Sequence, residues 1–202
     1  MSRYLPLFAA ALLGGGCVPV TEPVGPVEKA EPDKALVGKW AVKKINGLAA
    51  SFAVESIGIT APEVKGNPKG LMRGSMNDER DPMWFYLTTV GKYTYANVIV
   101  GGGDDEPNFD KEGAFAKWEK STKKKYFVFR VARDGDKMVL DCGNNETFTK
   151  LMKAANVVDD GAKHVPFFHP PAGWHTKTLG KDGPDAVFDK SNRLEVVREK
   201  AK

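Results

Sequence analysis

Hydrophobic and polar positions fall into three regimes along the chain. From Tyr4 to Leu13 the residues are continuously apolar behind a single cation, Arg3, and the run stops in Gly14, Gly15, Gly16 and Cys17. From Val18 to Lys34, prolines at 19, 23, 26 and 32 alternate with Glu22, Glu28, Glu31 and Asp33, a pattern that supports no helix. From Leu36 onward the pattern becomes that of strands. Trp40 and Val42 share one face of a segment ending at the turn signal Asn46-Gly47. Aromatic and β-branched residues at 83–89 and 93–100 flank Gly91-Lys92 and predict a hairpin. A second hairpin is predicted by 126–131 and 137–140 around Asp134-Gly135, because both central positions of such a tight turn need positive φ.

One stretch has helical spacing. Phe148, Leu151, Met152 and Ala155 stand at i, i+3, i+4 and i+7 behind Asn144 and Asn145, which are good N-caps, so a short amphipathic helix is predicted over 145–155. Beyond it, Pro166, Pro170, Pro171 and Pro184 with several glycines predict an irregular extension. Within that extension Leu194-Glu195-Val196-Val197 reads as a closing strand or the start of a frayed helix. The expected division is a signal segment 1–16, a Pro-rich tether 17–34, an antiparallel β domain 35–156 and an irregular C-terminal extension 157–202. The fold class expected is mainly β, α+β by content.

The first regime has the layout of an export signal: a cation, an apolar core and small residues. Its apolar run is shorter than the roughly 20 residues that span a bilayer. Composition narrows the picture without changing it. Of 202 residues, 42% are apolar and 28% charged, which suits one globular domain, and 30 basic against 26 acidic residues give a charge of +4, too balanced for a polyanionic partner. No nucleic-acid partner is expected.

Leu12-Leu13-Gly14-Gly15-Gly16-Cys17 resembles the bacterial lipobox, in which a leucine and small residues precede a cysteine that is acylated and becomes the mature N-terminus. The glycines at 14 and 15 depart from that pattern, which prefers an aliphatic residue and then Ala, Ser or Thr. The resemblance implies lipidation at Cys17 and a membrane anchor, with a plain signal peptide as the alternative. Val18, where an Asp would favour inner-membrane retention, implies an outer-membrane lipoprotein facing the periplasm. The Pro-rich segment then reads as a stiff spacer, and Cys142, with its only possible partner acylated, as a buried free thiol. Gly38-Lys39-Trp40 at the head of the first strand resembles the lipocalins and lipocalin-like proteins, as does a hairpin with an acidic Gly turn followed by a short helix. This second resemblance implies an antiparallel small barrel or half-barrel, and no particular ligand.

Candidate chemistry is sparse. His164, His169 and His175 are all the histidines of the chain and lie within twelve residues, so a proline-stiffened loop could present them to zinc, copper or nickel. Their spacing matches no zinc signature, and the interleaved Phe167, Phe168 and Trp174 offer a packed flap instead. Acidic residues around Gly101 to Glu112 lack the alternation and central glycine of an EF-hand loop. Lys117, Lys120, Lys123, Lys124 and Lys125 beside Trp118, Tyr126 and Phe127 read as a solvated face or a contact with acidic lipid or polysaccharide. There is no nucleophile elbow, zincin motif or pair of catalytic carboxylates. The expectation is a non-catalytic envelope lipoprotein without a cofactor, whose barrel accepts a small apolar or amphipathic ligand. The alternatives are a protein-interaction module using the aromatic C-terminal loop and a His-loop metal-binding protein.

Overall fold

A computed structural model of the chain describes residues 20–46, 54–77, 82–100, 108–121, 124–143, 178–179, 184–188 and 192–200. Eight strands form one closed barrel in which every neighbour in sequence is a neighbour in space. They are β1 (Gly38–Asn46), β2 (Ser56–Thr60), β3 (Met72–Met76), β4 (Met83–Val90), β5 (Tyr93–Val100), β6 (Lys125–Asp134), β7 (Lys137–Cys142) and β8 (Arg193–Arg198). All pairings are antiparallel, and β8 closes on β1 with Val196 opposite Val42 and Arg193 opposite Asn46. Closure leaves no sheet edge for another chain to pair with. This up-and-down architecture is lipocalin-like, as the opening strand suggested. Both predicted hairpins are present, turning at Gly91-Lys92 and at Gly135-Asp136.

The alternation of side chains explains how the barrel fills. Trp40, Ile57, Met72, Phe85, Leu87, Ala96, Met138 and Val196 point inward and form one buried cluster that draws on seven strands, with Phe129 and Val131 of β6 packed against it. In β1 the register shifts between Val42 and Lys44, so Lys43 is the extra residue of a bulge. Without it the strict two-residue period would turn Lys44 inward and Ile45 outward. With it Val42 and Ile45 both face the lumen.

The registers also define two ends. The base carries the turns at 91–92 and 135–136 and is plugged by a 3-10 turn, Lys34–Leu36, whose Leu36 is buried in the inner cluster. The indole N–H of Trp40 donates to the carbonyl of Leu36 at 2.8 Å. Arg198, at the end of β8, lies 4.4 Å from the Trp40 ring centroid and donates to the carbonyls of Val37, at 2.7 Å, and Ala35. Gly38 has φ 138°, and a Cβ there would stand 2.7 Å from the Arg198 guanidinium. The Gly-x-Trp motif is therefore where the N-terminal plug, the first strand and the last strand are locked together. The opposite end, the mouth, receives the connections 47–55, 77–82, 101–124 and 143–192.

Two expectations are corrected here. Residues 20–36 are not a free tether: Val20, Val24, Val27 and Ala30 are buried against the outer face of β4, β5 and β6. Val20 pairs with Tyr126, each backbone N–H donating to the other's carbonyl at 2.9 and 2.8 Å. The prolines exclude a long helix, but they allow a strap with a 3-10 turn at Val27–Lys29, whose Val24, Val27 and Ala30 are buried against the barrel. The strap passes so close to the barrel that a Cβ on Gly70 would sit 2.4 Å from the Ala30 carbonyl oxygen. The barrel also runs past the expected boundary at 156: of the two readings of Leu194–Val197 the closing strand is the one the structure shows, as β8. The helix predicted over 145–155 lies outside the described residues.

Candidate functional site

The outer face of β4–β6 carries Trp84, Tyr86, Tyr95, Asn97, Ile99, Tyr126 and Val128, all buried, under a second layer. The strap covers one side of it. Helix α1 (Ala114–Glu119) contributes Phe115 and Trp118, and the C-terminal segment with helix α2 (Pro184–Val187) contributes Val187 and Phe188. Phe109, Phe115, Trp118 and Tyr126 meet at centroid distances of 5.4 to 5.8 Å in edge-on or tilted pairs. Burial pushes the hydroxyl pKa of Tyr86 and Tyr126 well above the usual tyrosine range, and that of Tyr95 up to about 12. Asn97 holds the strap as a backbone strand would: Oδ1 accepts from the Val24 N–H at 2.7 Å, and Nδ2 donates to the Val24 carbonyl at 3.3 Å and to Thr88 Oγ1 at 3.1 Å. Trp118, Tyr126 and Phe127 are thus core residues and not rings on an exposed lysine face.

Beside this face, Asp141 sits between two guanidinium groups. Arg130 donates from Nε at 3.3 Å and from Nη2 at 2.9 Å, and Arg193 donates from Nε at 2.6 Å and from Nη2 at 3.1 Å. Arg130 also bonds to Asp185 and to the carbonyl of Phe188, and its guanidinium lies near the rings of Tyr93 and Phe188. Burial works to lower the Arg130 pKa, but the hydrogen bonds from Asp141 and Asp185 outweigh it and raise the value. A cavity of about 540 Å³ takes lining from this cluster and from Leu36, Leu87 and Val131 near the base. Its buried charges are already matched to one another, which makes the cluster a clamp on the C-terminal segment.

The lumen offers different chemistry. Toward the base, Trp40, Met72, Met138 and Val196 are at most 2% exposed and fill the space. On the wall formed by β5, β6, β7, β8 and β1, the inward-facing Val42, Val98, Phe129, Leu140 and Leu194 are only half-buried. These inward side chains are less tightly covered than those of the base. An eight-stranded barrel has room for side chains to fill or for one small ligand. Inward positions between the rims are apolar, so the space suits a hydrocarbon group.

Of the residues singled out in the sequence, Cys17, His164, His169 and His175 lie outside the described residues, as do Phe167, Phe168 and Trp174. Among the described residues no group of three or more His, Cys, Asp or Glu could hold a metal ion, and no helix is long and apolar enough to cross a membrane. Asp110 and Glu112 of the acidic run pair with Arg73 at 3.7 Å and Lys65 at 2.9 Å. Cys142 corrects the sequence reading. It is fully buried at the mouth end of β7, but it is disulfide-bonded and not a free thiol, and the chain has one other cysteine, Cys17. Sequence reasoning also missed the Asn97–Val24 lock, which joins residues 73 positions apart, and the Asp141 clamp, whose Arg193 stands 52 positions from Asp141.

The geometry defines a closed, eight-stranded, lipocalin-like barrel with an apolar lumen. No protein-family model, curated protein or solved structure matches this chain.

Proposed function

We propose that the protein is an exported, non-catalytic cell-envelope lipoprotein, anchored through Cys17, whose barrel takes up one small apolar or amphipathic molecule. The observation that carries the ligand reading is the half-buried apolar wall of Val42, Val98, Phe129, Leu140 and Leu194 above a filled base. The export and anchor reading rests on Arg3, the apolar run and the small residues before Cys17. Native mass spectrometry of the protein extracted from its own envelope tests both. Expected are a mature N-terminus at Cys17 carrying acyl chains and a bound species of lipid-like mass that is lost on organic extraction. A mature chain without acyl mass and without any bound species overturns the proposal.

One observation favours a second reading of the N-terminus. A cysteine sulfur in a disulfide cannot also carry the thioether of a lipid anchor, and Cys142 is disulfide-bonded in a chain with two cysteines. On that reading the signal is removed by ordinary cleavage and the barrel is released. The same spectra separate the two: the released form loses two protons relative to its reduced mass and carries no lipid.

A further inference from the structure

We propose that the base end of the cavity beside the Asp141 clamp is a second binding site, which takes a small organic monocarboxylate with an apolar body. It is independent of the lumen and of how the N-terminus is processed. The site follows from which of the charges lining that cavity are matched. Toward the clamp they are: Asp141 accepts from Arg130 and Arg193, and Asp185 accepts from Arg130. Toward the base the lining cations are Lys92 and Arg133, and the lining carboxylate is Asp33. Asp33 is engaged by the plug, its Oδ1 accepting from the Ala35 N–H at 2.9 Å, while the Arg133 guanidinium stands 3.8 Å from its Oδ2, longer than a hydrogen bond. Lys92 faces a ring and not a carboxylate, with its ammonium 5.2 Å from the centroid of Tyr93. The neighbouring acids of this rim have cations of their own: Asp136 pairs with Arg198 at 3.5 Å, and Asp134 stands opposite Lys137. Two cations against one carboxylate leave one positive charge uncompensated.

The fold makes room for a ligand at the same place. The β5–β6 ladder ends at Thr94 opposite Val131, whereas β6–β7 continues to Asp134 opposite Lys137, so the second hairpin reaches past the first. Ala132 and Arg133, on that step, line the cavity. In a two-residue hairpin the closing pair, Asp134 and Lys137, bond to each other, so the adjacent Arg133 turns its N–H the other way, past the last rung of β5. This N–H, the Arg133 guanidinium and the Lys92 ammonium are the donors the step offers to an oxyanion. Leu87, Val131 and the ring of Tyr93 supply apolar lining beside them. A cavity of about 540 Å³ falls in the range of small-molecule sites, so the anion carries a body and is not a bare ion. One carboxylate neutralises the excess charge, and a doubly charged phosphate would reverse it.

Titrating the ¹⁵N-labelled protein with sodium benzoate at constant ionic strength, followed by two-dimensional NMR, tests the site. Expected are saturable shifts of the Tyr93 and Arg133 amides, and none with benzyl alcohol, which has the ring without the charge. Lys92→Ala should weaken binding about fivefold, the effect of one charge in a partly exposed pair, while Lys44→Ala, an exposed lysine on β1, should leave it unchanged. Asp33→Asn keeps an Oδ1 to cap the plug but removes the competing charge, so it should tighten binding by a similar factor, a gain that misfolding does not produce. No saturable shift, binding of benzyl alcohol or inorganic phosphate as tight as that of benzoate, or indifference to both Lys92→Ala and Asp33→Asn overturns the site. Loss of benzoate binding in Leu140→Arg would put the benzoate in the lumen, overturning this site and leaving the luminal reading standing.

Discussion

Replacing Asn97 by Ala tests whether the Pro-rich segment is part of the fold. Asn97 is fully buried and makes three hydrogen bonds, two of them to Val24. Truncation leaves the buried Val24 N–H without its acceptor, a loss of about 1–3 kcal/mol. The Val24 carbonyl retains Thr88 Oγ1, so the two lost Nδ2 bonds add less, roughly 0.5–1 kcal/mol together. The sum is about 2–4 kcal/mol, which for a domain of this size lowers Tm by roughly 5–12 °C. The assay is guanidinium denaturation followed by tryptophan fluorescence, since Trp84 and Trp118 lie under the covered face. Limited proteolysis should in parallel show faster cleavage within 20–33. A midpoint within about 0.5 kcal/mol of wild type, with unchanged cleavage, would mean that the segment is a tether and the docked strap is wrong.

The Asp141 clamp gives a comparable effect: Asp141→Asn leaves Arg130 and Arg193 facing a neutral amide at a site where the aspartate is 3% exposed, and should cost about 3 kcal/mol by denaturant titration. Gly70→Ala should destabilise more than an ordinary surface Gly→Ala change, because the new methyl meets Ala30 backbone; protease release of 20–33 reads it out, and a stability equal to or above wild type would contradict the close approach. Stability should fall in alkali. Tyr86, Tyr95 and Tyr126 keep their protons in the folded state beyond the unfolded value near 10, so their contribution is whole below pH 10 and is lost as pH rises through about 12 for Tyr95, with a limiting slope of about 1.4 kcal/mol per pH unit per tyrosine. A flat alkaline profile to pH 12 would show that these hydroxyls are not buried.

The elements legible in the sequence were those whose signal is local. Tyr93 to Val100 and Tyr126 to Val131 are dense in β-branched and aromatic residues beside obvious turns, so both hairpins could be read directly. The five-residue strands Ser56–Thr60 and Met72–Met76 each have a central glycine and left too little pattern to be recognised. The strap was misread because proline and acid content outweighed Val24, Val27 and Ala30. Their spacing of three carries across a 3-10 turn at Val27–Lys29 too short to leave a helical pattern in the sequence. The strand alternation of Trp84, Tyr86, Tyr95, Asn97, Ile99 and Tyr126 held a further signal: both faces of β4 to β6 are apolar, so something had to cover the outside. Part of what covers it, the strap and the C-terminal segment, comes from segments more than 50 residues away, and no local pattern names them. The luminal wall was legible only as strand parity, because which inward residues keep access to water is decided by how Trp40, Met72 and Met138 fill the base.

Whether the lumen accepts an apolar guest is the central question for this barrel. Titrating residues 17–202, which keep both cysteines, with N-phenyl-1-naphthylamine, a neutral probe that fluoresces in apolar surroundings, measures this directly. Saturable enhancement at one site per chain is expected, with displacement by a long-chain alcohol and loss in Leu140→Arg, which puts a charge on the half-buried wall; a second variant, Val139→Arg, places the same charge on the outer face of the same strand and should leave binding intact. No saturable enhancement in the folded protein, or equal loss in both variants, would contradict an apolar binding site inside the barrel.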